Sequence, residues 1–361
     1  MPSRPLISVV IPVYGVADYL SACLDSVLGG APDGLEVIAV DDASPDGCGA
    51  LLDARAAADP RLRVVHLTSN AGPGHARNVG VELATGEYVW FIDGDDQAAD
   101  GALAAITRRL APAADGRPGP DLLLIDWVNS YPDGRTEPSP GRKLFAQVPP
   151  GEITLSQQPR LVELTMTAWS KLLRREFLAG LGVDFAAGIH EDVVVTSAAL
   201  LQARSIAVLD AVCYRYRRDR PGSFMVTSGT AQLAIFPAYD RVFGLIAAQQ
   251  AAGTEVSAAV QAAFFERAIW HYSTILTGGP GRPGLVPRDQ RRAFFARMHA
   301  DFLARRPPGY RPPPGARGLK FRLIELGNYR LYAALEPVND LRLAARRISG
   351  SLSTRRRPRS S

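Results

Sequence analysis

The chain has 361 residues, is 47% hydrophobic and 21% charged, and contains 33 glycines and 28 prolines. That is the composition of a soluble globular protein with room for one large domain or two ordinary ones, and it excludes a low-complexity or disordered chain. The net charge of +5 is concentrated at the end, where residues 314–361 carry eleven Lys/Arg against three Asp/Glu, so the remainder is slightly acidic and a nucleic-acid-binding core is not implied. Cys23, Cys48 and Cys213 are far apart, and the five histidines do not cluster. Neither a disulfide framework nor a zinc site emerges; each cysteine reads as a small core residue in a reducing cytosol. The apolar stretch 6–11 is stopped by Pro12, too early for a signal-peptide core, and no run of about 18 apolar residues predicts a bilayer span.

Strands and helices alternate through the first third. Residues 7–11 read as a strand, and 19–28 have helical spacing with Asp18 placed as a cap. A second strand over 35–40 ends at Asp41-Asp42 and is followed by a helix over 49–58. A third strand spans 62–67, a helix spans 74–84 and is closed by Gly86, and a fourth strand spans 88–92. This repetition predicts a mostly parallel sheet covered on both faces. Beyond Arg109 the pattern loosens. Residues 121–127 read as a strand, 131–150 as loop, 161–181 as helix in two pieces, 192–203 as helix, and 206–209 and 212–217 as strands. Helices over 232–250, 257–276 and 289–305 form an extension, followed by a stiff segment with five prolines at 307–314 and a basic helical tail.

Chemistry gathers at the strand ends. Pro12-Val13-Tyr14, Asp41-Asp42-Ala43-Ser44, Asn70-Ala71-Gly72-Pro73-Gly74-His75-Ala76-Arg77-Asn78 and Asp93-Gly94-Asp95-Asp96 each follow one of the first four strands. In a parallel sheet all four open on one edge, where α/β folds bind ligands. Crowded acids repel unless a cation or a donor-rich ligand sits among them, and Mg²⁺ or Mn²⁺ prefers carboxylate oxygens shared with substrate phosphates. An aromatic for stacking, acids for base and ribose, an Arg at a helix start and metal-binding acids suit a nucleoside-diphosphate donor.

These segments, with Ser8-Val9-Val10-Ile11, Ala76-Arg77-Asn78-Val79-Gly80, Thr85-Gly86-Glu87-Tyr88 and Phe91-Ile92, resemble the family 2 glycosyltransferases over residues 7–106. The resemblance continues through Ala168-Trp169-Ser170-Lys171-Leu172 and His190-Glu191-Asp192-Val193 to about Arg218. More narrowly, the chain is similar to the glycosyltransferase domains joined to glycerophosphotransferases in actinobacterial teichoic acid systems, and a glycerophosphotransferase activity is not expected of it.

The resemblance implies a GT-A fold: an α/β architecture with a mostly parallel open sheet flanked by helices and a C-terminal helical extension. It implies a donor-binding half over 1–110, an acceptor-binding half over 111–220, a helical extension over 221–306, and a linker and tail over 307–361. It also implies roles. Pro12, Tyr14, Asp42, Arg77 and Asp93 would bind the donor, with Tyr14 on the base, Asp42 on a base N–H, Arg77 on the diphosphate and Asp93 on ribose or metal. Asp95 and Asp96 would hold Mg²⁺ or Mn²⁺. Asp192 would be the base of an inverting transfer, and Glu191 would position the loop or the acceptor. Helix capping is the alternative for Asp192. His190, Trp169 and Lys171 would line the acceptor side; for Trp169 and Lys171 core packing and a surface charge are the alternatives.

The expected substrates are a nucleotide sugar, UDP by family habit, and a glycan, teichoic acid or lipid-linked acceptor. The expected location is the cytoplasm. Lys320, Arg322, Arg330, Arg342, Arg346 and Arg347 alternate with apolar residues. They allow either peripheral contact with an anionic membrane or a solvated helix packed on the domain. A nucleotidyl- or phosphoryl-transferring enzyme, or a non-catalytic nucleotide-sugar scaffold, would share the donor-side residues. The Gly72-Pro73-Gly74-His75 turn lacks the ending of a phosphate-binding P-loop.

Overall fold

The computed structural model describes residues 4–29, 34–111, 118–164, 166–220, 229–278 and 284–335. It divides into two compact units, Met1–Ser223 with Phe236–Val260, and Phe224–Ile235 with Gln261–Ser361.

The first unit opens with β1 (Ile7–Val13), α1 (Ala17–Leu28), β2 (Leu35–Asp41), α2 (Cys48–Ala58), β3 (Leu62–His66), α3 (Pro73–Leu83) and β4 (Tyr88–Phe91). It continues with β5 (Gln97–Ala98), α4 (Ala102–Leu110), β6 (Leu122–Ser130), β7 (Thr136–Pro138), α5 (Arg142–Phe145), β8 (Glu152–Ile153), β9 (Lys171–Arg174) and α6 (Arg175–Ala179). It closes with α7 (Asp192–Gln202), β10 (Ile206–Arg217) and α8 (Ile235–Ala251, from Phe236 onward). The strands form one sheet in the order β3-β2-β1-β4-β9-β6-β10-β5, with β7 on β6 and β8 on β10. β1 pairs in parallel with β2 and β4, β2 with β3, and β6 with β10. The anticipated common edge therefore exists: the ends of β1 to β4 open the same way. The expected halves 1–110 and 111–220 lie within this one unit, because β9 hydrogen-bonds to both β4 and β6.

β1, β2 and β4 are buried along nearly their whole length. Helices cover both faces, so the strands read as continuous apolar runs rather than alternating ones. α3 comes so close to β1 that a Cβ at Gly80 would lie 2.2 Å from Val10 Cγ1. That contact fixes the depth at which the Arg77-bearing helix sits.

Three expectations are corrected. The stretch 161–181 is not two helical pieces: a short 3₁₀ turn (Pro159–Glu163) leads to β9, which runs antiparallel between β4 and β6, and only then to α6. Leu172 and Leu173 are both buried, and a strand covered on two faces has no alternation to separate it from a buried helix. Asp18 is not the cap of α1. The helix begins at Ala17, whose N–H donates to Asp46 Oδ2 at 3.0 Å, so the capping carboxylate comes from the loop after β2. Residues 206–217 form one strand, with its register against β6 shifted between Leu209 and Tyr214.

In the second unit, α9 (Ala258–Thr277, from Gln261 onward), α10 (Arg291–Arg305) and α11 (Gly315–Glu325) pack through an aromatic core. Phe265 meets Phe302 edge-on at 5.0 Å, and Tyr272 donates to Asp301 at 3.1 Å. The Pro-rich segment is not a free linker. Tyr310 lies edge-on against Phe265 at 4.9 Å and donates to Glu266 at 3.1 Å, and Phe321 and Ile324 of α11 are buried. Arg342, Arg346 and Arg347 lie outside the described residues. Among the described residues no helix is long and apolar enough to cross a membrane.

Replacing Gly80 by Ala inserts a methyl group into the Val10 side chain, and the helix must shift or Val10 must leave its rotamer. The expected loss is about 1–3 kcal/mol, read as a lower urea midpoint at unchanged slope.

Candidate active site

Arg77 lies in α3 and is buried, with its side chain about 5% exposed. One guanidinium nitrogen donates to Asp93 Oδ1 at 2.7 Å and another to Glu191 Oε1 at 2.6 Å. The ring of Phe185 lies 5.6 Å beneath it. Burial works against the charge, but Asp93 and Glu191, with Asp192 beyond them, prevail and hold the Arg77 pKa above its ordinary value. Arg77 Nε is buried without a hydrogen-bond partner. The next residue, Asn78, clamps the backbone of Phe185 twice, donating to its carbonyl and accepting from its N–H at 3.0 Å each. A Cβ at Gly74 would lie 2.1 Å from the Ala186 carbonyl. These contacts hold the segment before α7 against α3, which brings Glu191 and Asp192 to the edge where β1 to β4 end.

Asp192 is the first residue of α7, and Glu191 occupies the cap position without a side-chain capping bond. The capping alternative for Asp192 is therefore not what the helix uses. Burial, and then the neighbouring Glu191, push the Asp192 carboxyl up to about 8, against the pull of Arg77 and Lys171. His190, just before them, has φ of 62° in a region that disfavours side chains, and Gly188 has φ of 84°. Strain of this kind is held in place by its surroundings and collects at functional sites.

The three clustered acids take separate environments. Asp93 is about 26% exposed and ties Arg77. Asp95 is ion-paired to Arg220 Nε at 2.7 Å. Asp96 is about 1% exposed and accepts from the Tyr214 hydroxyl at 2.7 Å and the Arg217 N–H at 2.6 Å. Burial, with repulsion from Asp93, raises the Asp95 pKa above its ordinary value. Burial, then Asp95 and Asp93, raise that of Asp96 well above it. Such a cluster carries more negative charge than its surroundings compensate. Its hard oxygen donors match Mg²⁺ or Mn²⁺, which use one or two carboxylates and complete their shell with water and substrate phosphate. Among the described residues no three His, Cys, Asp or Glu side chains are arranged as a ready cage.

Tyr14 stands 49% exposed just past β1, beyond Pro12 and the last rung that β1 shares with β4. Asp42 is buried and accepts from the Ala71 and Gly72 N–H groups at 2.8 Å each, so it pins the loop after β3; each oxygen keeps a further lone pair. Ala43 beside it has φ of 55°.

Of the acceptor-side candidates, Trp169 is buried and stacked on Tyr214, with centroids 4.4 Å apart and planes 9° from parallel. Lys171 is buried too, donating to the Thr167 carbonyl at 2.9 Å, so it is not a surface charge. Sequence reasoning gave no role to Asn78, Phe185, Tyr214, Arg217 or Arg220. The one available signal for the last three was the Tyr/Arg-rich run 214–220 at a strand's end.

Residues 8–178 match the family model described as "Glycosyl transferase family 2". That match covers just under half of the chain: residues 8–178 are similar to this family, and the sheet described above is of the GT-A type. Among named proteins, the chain is 29% identical over 218 residues to the uncharacterized glycosyltransferase EpsJ of Bacillus subtilis (strain 168), covering 60% of this chain and 62% of that one. It is 42% identical over 94 residues to the putative teichuronic acid biosynthesis glycosyltransferase TuaG of the same organism, covering 26% of this chain and 37% of that one. The chain thus spans less than two thirds of these curated relatives. A crystal structure of S. aureus TarS 1-349 in complex with UDP-GlcNAc superposes with a TM-score of 0.66 at 24% identity, covering 92% of this chain and 90% of that one.

Removing the Arg77 charge strands Asp93 and Glu191. Arg77→Met is expected to cost about 3–5 kcal/mol in urea unfolding, and Arg77→Met with Glu191→Gln to recover part of that loss.

Proposed function

We propose that this chain is an inverting glycosyltransferase that moves a sugar from a UDP-sugar to a hydroxyl of a cell-envelope glycan, a teichoic acid or a lipid-linked acceptor. The observation that carries the reading is Asp192: a carboxylate of raised basicity, held at a helix start by the Arg77–Glu191 pair, at the edge where the Asp93–Asp96 cluster lies. The UDP-GlcNAc in the TarS complex puts that donor first in a screen. The TarS and TuaG likenesses favour an envelope polymer as acceptor.

In this reading Tyr14 stacks on the base and Asp93 faces the ribose. Asp95 and Asp96 are the candidate ligands of a divalent cation, with Asp96 held by Tyr214 and Arg217 and Asp95 the more accessible of the two. When bound, such a cation stabilises the charge that develops on the departing diphosphate. Arg77 is committed to Asp93 and Glu191, so its part is to align the donor side with the base rather than to grip phosphate directly. Asp192 removes the acceptor hydroxyl proton as that oxygen bonds to the anomeric carbon. The carbon–oxygen bond to the diphosphate breaks with its electron pair, and the configuration inverts.

The membrane-facing reading of the tail draws on exposed Leu319, Arg322, Leu326, Arg330 and Leu331, which form a mixed basic and apolar surface.

Asp192→Asn is expected to lower transfer by about 10²–10⁴-fold with donor affinity retained, measured as UDP release with acceptor present. Equal turnover in that variant removes Asp192 from the base role. A base must be deprotonated to act, so kcat at saturating donor is expected to rise with pH toward the Asp192 value of about 8 and to level off above it.

Chelation is expected to abolish turnover and added Mn²⁺ to restore it. Asp95→Asn is expected to raise the Mn²⁺ concentration needed by about tenfold or more, read by titrating metal against rate. Turnover that ignores chelator contradicts the metal assignment.

A further inference from the structure

The loops after β1 and β2 are tied together by hydrogen bonds from main-chain N–H groups. Gly15 N–H donates to Ser44 Oγ at 2.8 Å, Ala17 N–H to Asp46 Oδ2 at 3.0 Å, and Asp42 N–H to the Val13 carbonyl at 2.9 Å. Asp41 anchors this tie from behind. Its Oδ1 accepts from the Ser44 N–H at 3.0 Å, and its Oδ2 lies 2.9 Å from Nδ1 of His66, the last residue of β3. The other ring nitrogen, Nε2, lies 3.0 Å from Asp53 Oδ1 of α2. Gly49 leaves the space for this: a Cβ there would sit 3.1 Å from Asp41 Oδ2 and 3.6 Å from the His66 ring.

An imidazole flanked by two carboxylates can donate to both only as the cation, because the neutral ring has a single N–H. Asp41 from β2 and Asp53 from α2 are the charged groups that face the ring, and hydrogen bonding to them, Asp41 foremost, raises its pKa above the ordinary value. His66 is about 44% exposed, so solvent protons reach it freely.

We propose that His66 is a positioning residue for the donor site: as the imidazolium it fixes Asp41, which fixes Ser44, which in turn holds Gly15 and the exposed ring of Tyr14 at the place where a nucleobase would stack. The residue touches no substrate and acts through Asp41. The inference rests on the nucleotide-donor reading above. It also gives a sign. The cation persists below the His66 pKa and is lost as pH rises through it, so the loop loosens and donor KM climbs with pH. This trend appears in KM, whereas the deprotonation of Asp192 appears in kcat, so the two titrations separate.

The test uses the full chain and two variants, His66→Gln and Asp53→Asn, with UDP as the probe. The first readout needs no ligand: amide hydrogen exchange at Gly15 and Ser44, corrected for intrinsic rates, below and above the His66 pKa, which is itself read from imidazole NMR shifts. Wild type is expected to lose protection at both amides as His66 deprotonates, His66→Gln to show low protection at every pH, and Asp53→Asn to move the step to lower pH. Calorimetry is expected to show UDP binding weakened about 5–10-fold in His66→Gln at low pH, with kcat at saturating donor little changed. Wild-type protection and an intact pH step in His66→Gln overturn the proposal. If wild type binds no UDP, the donor reading falls, and the amide-exchange arm alone decides whether His66 positions the loop.

Discussion

A buried guanidinium between two carboxylates is the constraint on which the rest of the site depends. Arg77 reaches Asp93 at the end of β4 and Glu191 at the start of α7, and it is itself rigid because α3 is pressed onto β1 at Gly80 and onto the Ala186 carbonyl at Gly74. Without it two acids would be left in a poorly solvated place with no counter-charge, which is costly enough that the pair is effectively compulsory. The consequence is geometric. Asp192 follows Glu191 in the chain, so whatever fixes Glu191 fixes the base candidate relative to the acid cluster.

The same arrangement stores electrostatic tension. Asp95, Asp96 and Asp192 all have raised pKa values, chiefly because burial penalises their charged forms and then because they face other acids. Arg217 and Arg220 offset this only in part, and Tyr214 spends its hydroxyl on Asp96. A core built for stability alone would not gather these groups. Acids with strongly shifted pKa values gathered in one place mark a candidate functional site. Positive φ at Ala43 and His190 places backbone strain at the two loops that carry Asp42 and Glu191.

Much of the donor side was legible from local pattern. The apolar runs of β1, β2 and β4, the helical spacing of α1 and α3, and polar groups at each strand end required only periodicity and the geometry of parallel sheets. The acceptor side was less legible. β9 was mistaken for helix because it is buried on both faces, and Trp169 and Lys171 gave no sign that one stacks on Tyr214 and the other is buried. The cap of α1 comes from Asp46, 29 residues away, so the adjacent Asp18 was a false signal.

Order along the chain therefore settled which segments are strands and helices and which strand ends carry acids, because those features arise from neighbours one to four residues apart. Tertiary structure decided what each charged group does. Arg77 finds Glu191 across 114 residues, and Asp96 finds Tyr214 across 118. Asp192 acquires its basicity from burial that no spacing announces, and the His66 pKa is raised because β2 and α2 each bring it an acid. Desolvation and Coulomb energy depend on distance in space, and a linear sequence records distance only along the chain.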